Sequence, residues 1–119
     1  MRYLTVLYDP NCHLCRKAAL WLNDQPKYLP LYFCAAGSEA AYAYFPGIDH
    51  AATANQLTVV GDGGEVYYDE RGWLMCMWAT KTYRPVALRY AATPERLDQA
   101  KRFVLWVSRH RKVLGSLVA

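Results

Sequence analysis

Two cysteines near the start of the chain are the residues best suited to chemistry. They stand in the segment Asp9-Pro10-Asn11-Cys12-His13-Leu14-Cys15. A helix turns by about 300° over three residues, so two thiols at this spacing come within reach of a disulfide. In a reducing compartment, such a pair indicates redox chemistry or metal binding rather than a structural cross-link.

The position of the pair predicts which thiol attacks. The segment follows an apolar run and a Pro-Asn turn, where a helix is expected to begin. Unpaired N–H groups and the positive end of the helix dipole favour a thiolate there, and only a thiolate attacks a disulfide. Cys12 is therefore the predicted nucleophile, and Cys15, on the buried side of the helix, is the predicted protected and resolving thiol. His13, when protonated, could stabilise the Cys12 thiolate, while Asp9 either accepts a proton or shapes the turn.

The same spacing also fits half of a zinc site, so a metal remains an open alternative. The candidates for further ligands form no second close pair; they are His13, Cys34, His50, Cys76 and His110. Cys34 and Cys76 lie in apolar segments and are predicted to be buried as small hydrophobic side chains. A dithiol without activity is a third interpretation. The redox interpretation requires no cofactor and no metal.

Hydrophobic periodicity predicts the elements that position the pair. Four strands are expected, at residues 3–8, 29–34, 56–60 and 65–68. The last two flank a Gly-rich turn that is typical of a hairpin. Four helices are expected, at residues 11–23, 37–45, 69–80 and from 93 into the basic end of the chain. Residues 48–55 are predicted to be irregular.

Three polar residues are predicted to cap helices: Asn11, Asp69 and Thr93, the last with Pro94 at the first helical position. The first helix is expected to turn one apolar stripe inward, formed by Cys15, Ala18, Ala19 and Leu22. In the last helix the inward residues are expected to be Leu97, Ala100, Phe103, Val104 and Val107.

The predicted order is β-α-β-α-β-β-α with an extra C-terminal helix. The first two strands, joined by a helix, should be parallel, and the hairpin adds an antiparallel pair. The fold class is therefore α/β with a four-stranded mixed sheet, which is the order of the thioredoxin fold. A length of 119 residues fits one domain, so residues 1–119 are predicted to form a single thioredoxin-like domain.

Composition and charge narrow the classes of partner. Hydrophobic residues make up 54% of the chain, which argues against disorder, and no segment is long and apolar enough to span a bilayer. The segment before the first turn is too short for a signal peptide, so a cytoplasmic location without membrane contact is expected. The net charge of +4 is distributed unevenly along the chain, since residues 81–119 contain nine Lys and Arg but only two acidic residues. A solvated basic helix face is favoured, because no motif for reading nucleic acid accompanies it.

The stretch from Tyr8 to Cys15, with the amphipathic helix after it, resembles the DCC family of thiol-disulfide oxidoreductases. That family is named for an Asp, Cys, Cys signature, which Asp9, Cys12 and Cys15 match. The resemblance extends over nearly the whole chain, including the hairpin and the closing helix around residues 109–111. It implies a thioredoxin-like fold and redox activity.

The chain departs from the family pattern at two places. Pro10 stands where the family usually has Gly, and it should stiffen the turn before Cys12. Thioredoxins place a cis-Pro before the third strand, where it helps to dock substrate, whereas residues 53–55 of this chain are Thr-Ala-Asn. Docking by that route is therefore not expected.

The leading hypothesis is a thiol-disulfide oxidoreductase that acts on a protein or small-thiol disulfide. Cys12 attacks, a mixed disulfide forms, and Cys15 resolves it, after which a separate reductant completes the cycle. The alternative is a non-catalytic thioredoxin-like interaction module that binds partners through its basic half and its Trp and Tyr residues.

Overall fold

The computed structural model describes residues 1–53 and 56–117. The strands are β1 (Leu4–Tyr8), β2 (Leu31–Ala35), β3 (Thr58–Gly61) and β4 (Val66–Tyr68). The described residues also form seven helices: α1 (His13–Asp24), α2 (Glu39–Tyr44), α3 (His50–Thr53), α4 (Asp69–Ala79), α5 (Arg84–Ala91), α6 (Pro94–Arg109) and α7 (Arg111–Leu117). Within those ranges, no helix has the length and apolar character needed to cross a membrane.

The strands form one mixed sheet in the order β2-β1-β3-β4. The β1 strand is parallel to β2 and antiparallel to β3, and β3 is antiparallel to β4. The parallel pair is the one joined by α1, because a helical crossover returns the chain in the same direction. The predicted α/β class and its four-stranded mixed sheet are confirmed, and the arrangement is consistent with a thioredoxin-like fold.

The sheet has an apolar core on each face. Leu4 and Val6 of β1 share one face, where they pack with Leu22 of α1 and Cys76 of α4. Leu7 points to the opposite face and packs near α2. This alternation follows from the two-residue period of a strand. Leu22 anchors the later half of α1 in this core, and the short connection from Tyr8 to His13 keeps the start of the helix near the end of β1.

The prediction that residues 48–55 are irregular is wrong for the part that the structure describes, since α3 occupies His50–Thr53. Its start is stabilised by Asp49, whose Oδ1 accepts N–H groups from Ala51 at 3.1 Å and from Ala52 at 3.3 Å. Residues 54 and 55 lie outside the described residues. The expectation that substrate does not dock beside a Pro in front of β3 therefore concerns a segment that is only partly described.

Two helix starts on the later half of the chain had opposite outcomes. Thr93 caps α6 as predicted, its hydroxyl accepting the N–H of Arg96 at 3.2 Å. The prediction that Asp69 caps α4 is wrong, because Asp69 is already the first helical residue and has a φ of 50°. Its N–H instead donates to the carbonyl of Leu57 at 2.9 Å, which ties the start of α4 to the segment before β3.

The C-terminal part contains more helices than predicted. Helix α5 was not predicted, and the basic end breaks at His110 into the separate helix α7. Phe103 was expected to face inward but is 66% exposed. The other four residues expected to face inward are all partly buried: Leu97, Ala100, Val104 and Val107. Their side of α6 packs on other helices, α4 and α5.

Candidate active site

A tight turn connects β1 to α1. The Oδ1 atom of Asp9 accepts the N–H of Asn11 at 2.9 Å, and the Asp9 carbonyl accepts the N–H of Cys12 at 3.2 Å. Arg16 reaches back from α1 and donates to the carbonyl of Pro10 at 2.8 Å. Asp9 therefore shapes the turn, one of the two roles expected for it.

Cys12 is the N-cap of α1. Its sulfur accepts the N–H of Cys15 at 3.2 Å, and its backbone is extended, with φ −100° and ψ 114°. The prediction that Asn11 is the cap is wrong, because the Asn11 N–H is held by Asp9 and the helical conformation begins only at His13. A sulfur at this position faces the positive end of the helix dipole, which favours negative charge on it.

The two thiols of the pair are in direct contact. Both are free, and the Cys15 thiol donates to the Cys12 sulfur across 2.6 Å. Burial, followed by this hydrogen bond and the charge of Cys12, raises the pKa of Cys15 to about 12, while Arg111 acts in the opposite direction. At neutral pH, Cys15 therefore keeps its proton, and the Cys12 sulfur receives hydrogen bonds from both the thiol and the backbone of Cys15.

Helix α7 covers the start of α1. A Cβ on Gly115 would lie 3.4 Å from the backbone nitrogen of Leu14, so the two helices approach closely. At the other end of α7, Nη1 of Arg111 lies 3.4 Å from Oδ2 of Asp9. Cys12 is consequently only 8% exposed, whereas Cys15 has intermediate exposure. The expectation that Cys15 is the more protected thiol is wrong, because the helix that shields Cys12 comes from the far end of the chain.

The two cysteines open onto different spaces. Cys12 borders a cleft of about 630 Å³, lined by Asp9, Asn11, Cys12, His13, Arg111, Lys112, Gly115 and Ser116. Cys15 borders a largely apolar inner cavity of about 100 Å³, which extends toward the sheet. Asp9 and Arg111 border both spaces. The pair therefore separates the outer cleft from the inner cavity.

The structure brings together the four predicted site residues, Asp9, Cys12, His13 and Cys15. Sequence reasoning missed the contribution of α7, which includes Arg111. The charge pattern predicts a solvated face for the basic residues of that segment, yet the Arg111 side chain is only 30% exposed. A glycine four residues after an arginine, on the same helix face, is the signal that could have indicated a close helix contact.

The other cysteines lie away from this site. Cys76 is fully buried, as predicted, and burial raises its pKa to about 12. Cys34 is only half-buried, with its sulfur 3.7 Å from the hydroxyl of Ser38. His50 contacts the carbonyl of Phe45 through Nε2 at 2.7 Å. Across residues 1–53 and 56–117, no group of three or more His, Cys, Asp or Glu side chains is placed to hold a metal ion.

Comparison with known protein families gives a match over most of the chain. Residues 6–116 match the family model described as DCC1-like thiol-disulfide oxidoreductase. No curated protein and no solved structure matches significantly. The matched range includes both parts of the site, the start of α1 and nearly all of α7.

Proposed function

Because this chain belongs to the DCC1-like thiol-disulfide oxidoreductase family, we propose that it exchanges disulfides through Cys12 and Cys15. The observation that supports this proposal most directly is the contact between two free thiols, 2.6 Å apart, at the start of α1. The match over residues 6–116 supports the reaction class, and the local geometry supports the assignment of roles.

Cys12 performs the first step. Its sulfur accepts hydrogen bonds from the N–H and the thiol of Cys15, and both stabilise a thiolate. The thiolate attacks one sulfur of the substrate disulfide, so a Cys12–substrate bond forms as the substrate S–S bond breaks. The departing thiolate takes a proton from solvent. Cys12 also borders the outer cleft, from which a substrate approaches.

Cys15 performs the second step. Its thiol loses its proton and attacks the Cys12 sulfur, which forms the Cys12–Cys15 disulfide and releases the second substrate thiol. The protein has then lost two electrons, and the substrate has gained them. A pKa of about 12 keeps Cys15 protonated until this step. Its thiol therefore first donates a hydrogen bond to the Cys12 sulfur and acts as a nucleophile only afterwards. A separate thiol reductant returns the pair to its starting state.

His13 and Asp9 support the pair in different ways. His13 is the first residue of α1 and borders the cleft, so its protonated ring would add positive charge beside the Cys12 thiolate. Asp9 fixes the turn and pairs with Arg111, which makes it a positioning residue. The cytoplasmic location and the single domain over residues 1–119 remain predictions that fit this proposal.

The unmodified chain and two variants test the assignment with hydroxyethyl disulfide, a small neutral substrate, and mass spectrometry of the intact protein. The unmodified chain should end in an internal disulfide and release two equivalents of mercaptoethanol. Cys15→Ser should accumulate a stable adduct on Cys12, because the second step has lost its nucleophile. Cys12→Ser should react at least about a hundredfold more slowly, because the remaining thiol of the pair stays protonated.

Cys34→Ser is the matched control, since it removes a half-buried thiol outside the site. It should react at the rate of the unmodified chain. The proposal would be abandoned if Cys12→Ser retained the full rate, or if the Cys15→Ser adduct were located on Cys34 or Cys76.

A further inference from the structure

The cleft beside Cys12 has an excess of positive charge. Among its lining residues, Arg111 and Lys112 are cationic and Asp9 is acidic. The Asp9 carboxylate is already engaged, since one oxygen accepts the N–H of Asn11 and the other contacts Arg111. Positive charge in a concave site attracts anions and raises their rate of encounter.

Arg111 can hold an additional anion. A guanidinium has five N–H donors in a planar fork, whereas its contact with Asp9 involves one nitrogen, Nη1, at 3.4 Å. Its side chain is 30% exposed, so it is accessible from the cleft while being held at the edge of the dithiol. Lys112 follows it on α7 and borders the same cleft.

The size of the cleft favours a small substrate. Its volume of about 630 Å³ falls within the range of small-molecule sites, roughly 300–1,000 Å³. Cys12 is 8% exposed beneath α7, so a disulfide on a folded protein would have to displace that helix to reach the sulfur. A small disulfide can approach through the cleft instead.

We propose that the cleft selects small disulfides that carry carboxylate groups, with Arg111 and Lys112 binding those groups while Cys12 attacks the S–S bond. This inference rests on the exchange activity proposed above and names its substrate class. The chemistry is unchanged: Cys12 forms a bond to one substrate sulfur, and the other sulfur leaves as a carboxylate-bearing thiolate that takes a proton from solvent. The two cations then act on binding and orientation of the substrate.

Three disulfides of similar length test the selection: dithiodipropionate with carboxylates, hydroxyethyl disulfide with hydroxyls, and cystamine with ammonium groups. Adduct formation is followed by mass spectrometry in the Cys15→Ser chain, so that only the first step is measured. Each rate is divided by the rate of the same disulfide with mercaptoethanol, which removes differences in intrinsic reactivity. At low ionic strength, the anionic disulfide should react about tenfold faster than cystamine, and salt should reduce this preference.

Substitutions in the same background locate the effect. Arg111→Gln and Lys112→Gln should each lower the preference for the anionic disulfide by about two- to fivefold. Arg111→Lys, which keeps the charge, should retain most of it. Arg109→Gln is the matched control, because it removes the same charge from the exposed end of α6, outside the residues that line the cleft. It should leave the preference nearly unchanged.

Any of the following results would overturn the inference: equal corrected rates for all three disulfides, a preference for cystamine, or an equal loss of preference in Arg109→Gln and Arg111→Gln. The last result would assign the effect to the overall field of the basic half rather than to the cleft. Faster reaction with the disulfide of an acidic folded protein than with dithiodipropionate would also contradict it. Absence of reaction with hydroxyethyl disulfide is a different outcome, because it would refute the exchange activity itself.

Discussion

Cys15 is a partly buried thiol and Cys76 a fully buried one, and they lie in two regions that differ in their surroundings. Both lie on helices that pack against the same face of the sheet, and burial raises the pKa of each to about 12. Cys76 is 0% exposed within an apolar cluster, and desolvation is the cause of its shift. Cys15 lies 2.6 Å from the sulfur of Cys12, and Arg111 opposes part of its shift.

The comparison shows that burial alone does not give a thiol a role in chemistry. A buried thiol in an apolar cluster acts as a small hydrophobic side chain. The same side chain beside a second sulfur, at a helix start and next to a cleft, becomes a hydrogen-bond donor and a candidate second nucleophile. The helices that enclose the two regions differ as well, since Gly72 brings α4 onto the sheet and Gly115 brings α7 onto α1.

The largest expected difference between the regions is the cost of replacing each thiol with a hydroxyl. Cys76→Ser places a hydroxyl in an apolar cluster, which should lower the free energy of unfolding by about 1–3 kcal/mol. Cys15→Ser should cost less than about 1 kcal/mol, because the new hydroxyl can still donate to the Cys12 sulfur beside it. Urea denaturation of the reduced proteins measures both values. A larger loss for Cys15→Ser would show that the two environments have been assigned incorrectly.

The two glycines should respond to alanine with opposite signs. At Gly72, a Cβ would lie 3.2 Å from the Tyr67 carbonyl oxygen and 3.3 Å from Cγ2 of Val59, so Gly72→Ala should destabilise the protein by about 1 kcal/mol through overpacking. At Gly115 the nearest atom lies at an ordinary contact distance of 3.4 Å, so Gly115→Ala should stabilise by about 0.5–1 kcal/mol through helix propensity. The same denaturation series checks both, and equal signs would argue against the close fit of α4.

A loss of stability at alkaline pH should be common to the two thiols. A thiol with an ordinary pKa of 9.0 in the unfolded chain and about 12 when folded holds its proton more tightly in the folded state. Its contribution is therefore complete below pH 9 and is lost as the pH rises from 9 toward 12. Cys76→Ala and Cys15→Ala should each remove a similar share of this loss, because the pKa of both thiols is raised to about 12. Unfolding free energies at pH 8 and about pH 10 test this expectation, which a clearly larger effect of either substitution would contradict.

The parts of the structure that the sequence predicted correctly depend on local signals. The apolar run of β1, the Gly-rich hairpin turn and the Thr93-Pro94 helix start each act within a few residues, so they can be recognised without the fold. The dithiol segment is local in the same sense. Its assembly with Asp9 and His13 followed from their proximity in the sequence.

Contacts between distant segments account for what the sequence did not reveal. The burial of Cys12 depends on α7, about a hundred residues further along the chain. The hydrophobic periodicity of neither segment predicts that contact. The pairing of Asp9 with Arg111 has the same origin. Asp69 is a related case, because its N–H donates to the carbonyl of Leu57 from another segment, a contact that no local signal encodes. Asp49 was different, since its capping of α3 is a local signal that the apolar pattern obscured.

The most direct test is a redox titration of the unmodified protein against glutathione, with the thiols at each point trapped by alkylation and assigned by mass spectrometry. We expect one reversible two-electron transition confined to Cys12 and Cys15, with Cys12 alkylated first at neutral pH and Cys76 alkylated only after unfolding. The absence of such a transition, or four thiols that react only in the unfolded chain, would contradict the proposed exchange and favour a non-catalytic role for this fold.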